Sequence, residues 1–169
     1  MFEVIDNVLD DKDFNEIKSF LISPHFPWNF CSIVSSSSEV HDDTLKLPEN
    51  ASYYFTHVFW EKFEREPECQ IFAKLLDRMD CKAIIRIKAN CYPSTHTIIH
   101  HNNHQDYPFP HKGAIFYLNT NNGLTILDDT HEIKSVENRL LIFDSSKIHR
   151  STTCTDDKVR MNVNFNYFS

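Results

Sequence analysis

The residues most able to do chemistry lie in the stretch HHNNHQDYPFPHKGAIFY, from His100 to Tyr117. Within it His104 and Asp106 stand two positions apart, so on an extended segment both side chains point to the same side and can share one metal ion. A third ligand is expected from His149, which follows the apolar run RLLIF and the short linker DSSK. Two histidines and one carboxylate leave open coordination positions, and this suits a non-haem Fe(II) ion that activates oxygen.

Other histidines compete for the metal, because the chain has ten and six of them fall between positions 96 and 131. Within that stretch only His104 has a carboxylate two positions later, whereas His100 and His101 are followed there by neutral amides, which are poor Fe(II) ligands. The pair His131 and Glu132 does not extend to HExxH, which argues against a zinc protease. Zinc bound by two histidines and an aspartate stays open, although no deaminase PCxxC accompanies it.

A second H-x-D pair occurs at His41 and Asp43, next to the polar connection from position 35 to 38. That stretch has neither a strand pattern nor a partner histidine at a suitable distance. We therefore expect no metal site there.

The final strand, VRMNVNFNYF, alternates between apolar and polar side chains. Arg160 lies on its polar side, eleven residues after His149. If the apolar face meets helices, the polar face lines an interior cavity where Arg160 could meet an anionic co-substrate, but solvent exposure of the polar face is equally consistent with the sequence. The alternative for Arg160 is a salt bridge to Asp156 or Asp157 in the preceding turn. The apolar face comprises Val159, Met161, Val163, Phe165 and Tyr167, and the polar face Arg160, Asn162, Asn164 and Asn166.

Short strands with tight turns are expected around these residues. Residues 1–8 predict a short strand or lead-in, and two helices follow, DDKDFNEIKSFLI with its cap at Asp10 or Asp11, and CQIFAKLLDRMD. We predict an antiparallel sandwich or barrel with the helices packed on the outside. The strand segments are SYYFTHVFW, CKAIIRIKANCYP, THTIIHHNN, KGAIFYLN, LTILDD, HEIKSV, RLLIF, HRSTTC and VRMNVNFNYF.

The composition is that of one well-buried core, since 169 residues with 41% hydrophobic and 13% aromatic content are too few for two ordinary domains. Fourteen Phe and six Tyr against two Gly predict large rings in the core and few left-handed turns. The nucleotide-binding patterns GxGxxG and GxxxxGK(S/T) do not occur. Five scattered cysteines, never spaced CxxC, are expected to be free thiols in a reducing compartment. A charged-then-apolar leader and a long apolar run are also missing, so we expect neither export nor a membrane span.

The segments NCYPSTHTIIHHNNHQD, GAIFYLN, RLLIFDSSKIHRS and VRMNVNFNYF resemble the 2-oxoglutarate- and Fe(II)-dependent dioxygenases of the prolyl-hydroxylase type, most closely short phage-encoded members. The resemblance covers roughly residues 84 to 169, and the N-terminal half fits the helical preface of that family. It implies a mainly β fold with flanking helices, a double-stranded β-helix or jelly roll with the N-terminal helices on one sheet. It also implies a single domain over 1–169, with 1–82 as preface and edge strands and 83–169 as core barrel.

The resemblance further implies roles for individual residues. His104, Asp106 and His149 would hold Fe(II), and Arg160 would pair with the far carboxylate of 2-oxoglutarate, which a guanidinium fork suits. Tyr92 and Tyr117 would hydrogen-bond to the same co-substrate. Many relatives carry Ser or Thr two positions after the Arg; Asn162 occupies that position here and is expected to substitute as a donor.

The implied reaction is hydroxylation of a C–H bond with O2, with 2-oxoglutarate converted to succinate and CO2. The carboxylate of Asp106 favours hydroxylation over halogenation, because related halogenases lack this ligand. A peptidyl residue of the prolyl type is the first expectation for the substrate; a nucleobase, a free small molecule, or a barrel that binds without turnover are the alternatives. The net charge of −7 disfavours nucleic acid without excluding it. We expect a cytoplasmic protein without membrane partners, in the host cytoplasm if it is phage-encoded.

Overall fold

The computed structural model of the protein describes residues 1–32, 34, 53–62 and 64–169. The weaker H-x-D pair, His41 and Asp43, and the polar connection from 35 to 38 lie outside the described residues. Within the described residues the chain forms eleven strands, two α-helices and one 3-10 helix. The strands are β1 Glu3–Ile5, β2 Asn29–Cys31, β3 Tyr54–Glu61, β4 Glu64–Arg65, β5 Ala83–Pro93, β6 Lys112–Tyr117, β7 Asn121–Leu127, β8 His131–Ser135, β9 Arg139–Asp144, β10 His149–Ser151 and β11 Val159–Phe168.

The strands form two antiparallel sheets. The major sheet has the order β1-β9-β6-β11-β5-β3-β2 with β4 beside β3, and the minor sheet has the order β10-β7-β8. A small hydrophobic cluster contains residues of both sheets, among them Ile115 and Leu141 of the major sheet and Leu127 and Ile133 of the minor sheet. The two sheets therefore face each other as a sandwich, which confirms the predicted mainly β fold class.

The helices cover the outer face of the major sheet. Helix α1, Asp11–Leu21, begins at the predicted cap, where the Asp10 side chain accepts a hydrogen bond from the backbone N–H of Asp13. The predicted second helix is a 3-10 helix over Pro67–Phe72 that continues as α2, Ala73–Arg78. Their apolar sides and the sheet share one buried cluster that includes Phe14, Ile17, Leu21, Phe72, Leu75, Ile87, Phe116, Val163 and Phe165.

Strand β11 resolves the alternative that its alternation left open. Met161, Val163, Phe165 and Tyr167 are buried in the cluster under the helices, and Val159 packs against its edge. The opposite face points between the sheets, where Arg160, Asn162 and Asn166 are also buried. A polar face that is buried rather than solvated requires a polar interior.

Two expectations about local structure are wrong. The run THTIIHHNN forms no strand and makes only an isolated bridge between His100 and Thr152. The backbone N–H of Ile99 donates to the hydroxyl of Thr153, so it is not available for a ladder hydrogen bond to a neighbouring strand. Left-handed turns are also more frequent than the glycine content suggested. Among the described residues six non-glycine residues have positive φ, and five of them are Asn or Asp, which tolerate this region better than other side chains: Asn7, Lys62, Asp80, Asp128, Asp129 and Asn138.

No helix among the described residues is long and apolar enough to cross a membrane. All five cysteines carry free thiols in the structure.

Candidate functional site

A pair of backbone hydrogen bonds brings the two predicted histidine ligands side by side. The N–H of His104 donates to the carbonyl of His149, and the N–H of His149 donates to the carbonyl of His104, each at 2.9 Å. Their ring centroids are consequently 4.4 Å apart. The N–H of Asp106 donates to the carbonyl of Ser145 at 3.1 Å, which fixes the carboxylate beside them. The donor atoms of the three side chains all lie within 4.8 Å of one another, and no other His, Cys, Asp or Glu group in the described ranges matches this.

Both imidazoles present Nε2 to the centre of this group. His104 Nδ1 lies 3.2 Å from the carbonyl of Asn102, and His149 Nδ1 lies 2.9 Å from the carbonyl of Lys147. A carbonyl accepts only, so Nδ1 carries the proton in each ring and the lone pair of Nε2 is left for a metal. Burial, together with the neighbouring His149, lowers the pKa of His104 to about 4. His104 is therefore neutral at pH 7, the form that ligates a cation.

The carboxylate of Asp106 is held at both oxygens. Arg86 Nη2 donates to Oδ1 at 3.1 Å, while the Ser145 hydroxyl and Asn166 Nδ2, the latter at 2.7 Å, donate to Oδ2. Burial by itself would raise the pKa of Asp106, but the charges of Arg86 and His149 and the two hydrogen bonds hold it well below its usual range. Asp106 stays ionised, so two imidazoles and one carboxylate form a donor set that fits Fe(II).

Asn166→Ala is expected to weaken metal binding about 10- to 100-fold, because it removes a donor that orients Asp106. Asn166 Nδ2 lies 2.7 Å from Asp106 Oδ2, whereas Asn164 Nδ2 on the same strand face lies 3.5 Å from it. Asn164→Ala is the matched control and should lower the affinity less. Competition with a metal chelator under anaerobic conditions measures both affinities, and equal losses in the two variants would contradict the assignment.

Arg160 is a fully buried cation without an acidic partner among the described residues. Its Nε donates to the Ser135 hydroxyl at 2.8 Å and its Nη2 to the Thr125 hydroxyl at 3.0 Å, while Nη1 is buried without a hydrogen-bond partner. The alternative of a salt bridge in the preceding turn is wrong: Asp156 accepts from Asn122 N, and Asp157 accepts from the Asn119 amide. A buried guanidinium in this state favours an anionic ligand, and its fork matches a carboxylate.

The other predicted co-substrate contacts divide into two groups. Tyr92 and Asn162 line the same cavity as Arg160 and the three candidate ligand side chains. Tyr117 is fully buried behind them, and its hydroxyl donates to Thr125 Oγ1 at 2.8 Å instead of lining the cavity. The rings of Tyr92 and Tyr117 lie 5.6 and 5.8 Å from the Arg160 guanidinium carbon, one tyrosine on β5 and the other on β6. The ring of Tyr117 thus lies against the Arg160 guanidinium. Its hydroxyl is occupied by Thr125, a residue that sequence reasoning missed.

Both glycines of the chain lie against side chains of the site, Gly123 against Arg160 and Gly113 against Ser145. A Cβ at Gly123 would come within 2.5 Å of Arg160 Cδ, and one at Gly113 within 2.5 Å of Ser145 Cβ. Gly123 therefore leaves the space that Arg160 fills, and Gly113 the space of the serine that supports Asp106. The sequence signal was the scarcity of glycine: a chain with two glycines places both where close approach excludes a side chain.

Gly123→Ala is expected to lower the affinity for 2-oxoglutarate about tenfold or more while metal binding persists, since the added methyl group must displace the Arg160 side chain. Gly113→Ala is the matched comparison and should act mainly on metal affinity, through Ser145. Separate titrations of metal and of 2-oxoglutarate in the two variants measure this. The reverse assignment of the two losses would refute it.

The cavity between the sheets has a volume of about 270 Å³, and its lining includes the candidate metal-ligand group, His104, Asp106 and His149. Besides the predicted residues it is lined by Arg86, Lys88 and Asn90 of β5, which sequence reasoning missed. Their signal was present, because Arg86, Lys88, Asn90 and Tyr92 recur with period two in AIIRIKANCYP. That pattern is equally typical of a strand with one solvated face.

Comparisons with known proteins agree with this architecture. A prolyl hydroxylase from Trichoplax adhaerens, in complex with a hypoxia inducible factor oxygen degradation domain peptide fragment, superposes with TM-score 0.64 at 15% identity over 99% of this chain and 83% of that one. A 2OG-Fe(II) oxygenase family protein from Burkholderia pseudomallei gives 0.67 at 10%, covering 99% and 84%. A non-heme alpha ketoglutarate dependent epimerase from nogalamycin biosynthesis gives 0.62 at 11%, covering 99% and 77%. Neither a protein-family model nor a curated protein matches the sequence. The likeness confirms the predicted jelly-roll fold.

Proposed function

We propose that this protein is a 2-oxoglutarate- and Fe(II)-dependent oxygenase that hydroxylates a C–H bond of its substrate. One observation carries the proposal: a group of two histidines and one ionised aspartate shares a cavity with a buried arginine whose Nη1 has no partner among the described residues. The first feature fits Fe(II) with open positions, and the second fits the far carboxylate of a dicarboxylic acid. Hydrolysis at a zinc ion does not need a buried arginine that binds the far carboxylate of a dicarboxylic acid.

In this proposal His104, Asp106 and His149 hold the iron. When bound, Fe(II) would activate O2, and the four electrons that reduce it would come from two reactions: two from the conversion of 2-oxoglutarate to succinate and CO2, and two from the hydroxylated C–H bond. The bridge between His104 and His149 and the hydrogen bonds to Asp106 hold the three side chains beside one another. The cavity that they line would receive the two reactants.

Arg160 has the complementary task of binding and orienting the co-substrate. Its guanidinium is fixed by Ser135 and Thr125 and lies between the rings of Tyr92 and Tyr117. A carboxylate that meets Nη1 therefore finds a preorganised donor and does not have to order a flexible side chain. Tyr92 and Asn162 line the cavity beside it and are proposed to complete this contact.

For the substrate we propose a peptidyl residue of the prolyl type as the first candidate. The support is the likeness to a prolyl hydroxylase whose structure contains a peptide fragment. A free small molecule is the second candidate, since the epimerase from nogalamycin biosynthesis shares the fold.

Anaerobic titration of the protein with Fe(II) and then 2-oxoglutarate tests the proposal. We expect the weak visible charge-transfer band of the iron chelate to appear with one equivalent of each, and succinate to form after oxygen is admitted. If the band forms but no candidate substrate raises succinate formation, the barrel binds without turnover. If neither Fe(II) nor 2-oxoglutarate binds, the proposed function is wrong.

A further inference from the structure

Two cations lie on the wall of the cavity next to the metal-ligand group. The register of β5 and β11 sets Arg86 opposite Asn166 and Lys88 opposite Asn164, whereas Tyr92 lies opposite Arg160. Asn166 and Asn164 are the residues that approach Asp106. Arg86 and Lys88 therefore lie at the metal end of this sheet face, several residues along the strands from the end that carries Arg160.

Among the residues that line this end of the cavity the positive charge exceeds the negative charge, and Glu61, opposite Arg86 on β3, adds a carboxylate outside the lining. Asp106 is the one carboxylate among the residues that line the cavity, and it faces Arg86 at 3.1 Å. Arg150, also in the lining, is paired with Asp129. In the proposed function the two negative charges of 2-oxoglutarate offset the two positive charges of Fe(II). Among the lining residues one aspartate then remains for three cations, Arg160, Arg86 and Lys88.

The described residues do not supply either cation with a full set of hydrogen-bond and ionic partners. Arg86 Nε is buried without a hydrogen-bond partner among the described residues. Lys88 Nζ lies 5.6 Å from the ring centroid of Tyr54 and forms no salt bridge within the described ranges. Burial, reinforced by the charge of Arg86, lowers the pKa of Lys88 to about 8, so the ammonium is held against an unfavourable environment. A cation kept in such a place is stabilised when an anion arrives.

We propose that Arg86 and Lys88 form a second anion site, which binds a carboxylate of the primary substrate beside the metal. The inference rests on the proposed function and specifies its substrate class. The carboxylate has two possible sources, an acidic residue next to the target in a peptide or the carboxyl group of a free acid. In both cases the anchor lies at the metal end of the cavity, so it positions the neighbouring C–H bonds close to the oxidant.

The test compares acids with their own amides on protein loaded with Zn(II), a redox-inert ion, and 2-oxoglutarate. The probes are N-acetyl-Gly-Pro-Asp-amide against its Asn counterpart, and L-proline against L-prolinamide, each titrated by NMR line broadening. We expect the acid to bind at least about tenfold more tightly than the amide in one of the two pairs. The responding pair identifies the source of the carboxylate.

Lys88→Met keeps the length of the side chain and removes its charge, so the preference for the acid should fall below about twofold. Lys88→Arg should retain the preference. Lys134→Met, at an exposed position of β8, is the matched control and should behave as the wild type. If neither acid binds more tightly than its amide in the wild type, or if Lys88→Met leaves the preference intact, the second anion site does not exist.

Failure of this proposal is separable from failure of the proposed function. The 2-oxoglutarate affinity of Lys88→Met should equal that of the wild type; a large loss would show that Lys88 serves the co-substrate, and the second site would be rejected. If the wild type binds no 2-oxoglutarate, the proposed function fails. The acid and amide probes then still report on Arg86 and Lys88 in protein that carries Zn(II) alone.

Discussion

Arg160→Ala is expected to weaken 2-oxoglutarate binding by roughly 2 to 5 kcal/mol while Fe(II) still binds. The physical reason is that Arg160 is fully buried and its Nη1 has no partner in the described part of the chain, so in the proposed function the co-substrate carboxylate is its counter-ion. Removal of the guanidinium leaves that carboxylate desolvated and unpaired. Iron is unaffected because no ligand side chain hydrogen-bonds to Arg160.

Anaerobic titration with 2-oxoglutarate, followed by the charge-transfer band, measures this loss. Arg160→Lys should weaken binding less than Arg160→Ala, since an ammonium keeps the charge but loses the fork. Because Arg160→Ala also opens a buried space, thermal unfolding must show that the variant is folded. Arg78→Ala, at an exposed position in α2, is the control and should bind normally. Unchanged affinity in Arg160→Ala would mean that the anion is held elsewhere, and the proposed function would then rest on the metal ligands alone.

His149→Ala is expected to abolish both stoichiometric Fe(II) binding and turnover, and His104→Ala and Asp106→Ala should do the same. Each substitution leaves two donors where three lie within 4.8 Å of one another, and two donors do not make a facial site with open positions. Iron content after anaerobic loading and desalting measures the effect, with succinate formation as a second readout.

Other histidines supply the controls for this experiment. His100→Ala should retain about one equivalent of iron, because His100 is exposed. His101 is buried, with Nδ1 2.7 Å from the Ser151 hydroxyl, and His111 accepts from Asn166. His101→Ala and His111→Ala should therefore lower stability more than metal stoichiometry. If His101→Ala removes iron as completely as His104→Ala, the ligand assignment is wrong.

The sequence by itself determined the features that depend on residues close in the chain. The pair His104 and Asp106 is two residues apart, so extended backbone suffices to place both side chains on one side. The cap at Asp10 and the alternation of VRMNVNFNYF are likewise local, and the structure has both as predicted. The mainly β fold class follows from many such local patterns. The single-domain division at 82 and 83, and the roles of the site residues, stay predictions.

The tertiary structure alone decided what lies opposite what. It took the antiparallel bridge between positions 104 and 149 to bring the histidines together, and the facing of the two sheets to bury Arg160 away from Asp156 and Asp157. The alternation in AIIRIKANCYP fits a solvated face as well as a cavity wall, so Arg86 and Lys88 became site candidates only when β5 was seen beside β11. Burial, close approach and the absence of a counter-ion are properties of pairs distant in sequence. No local pattern encodes them, because each depends on a partner that the fold must first supply.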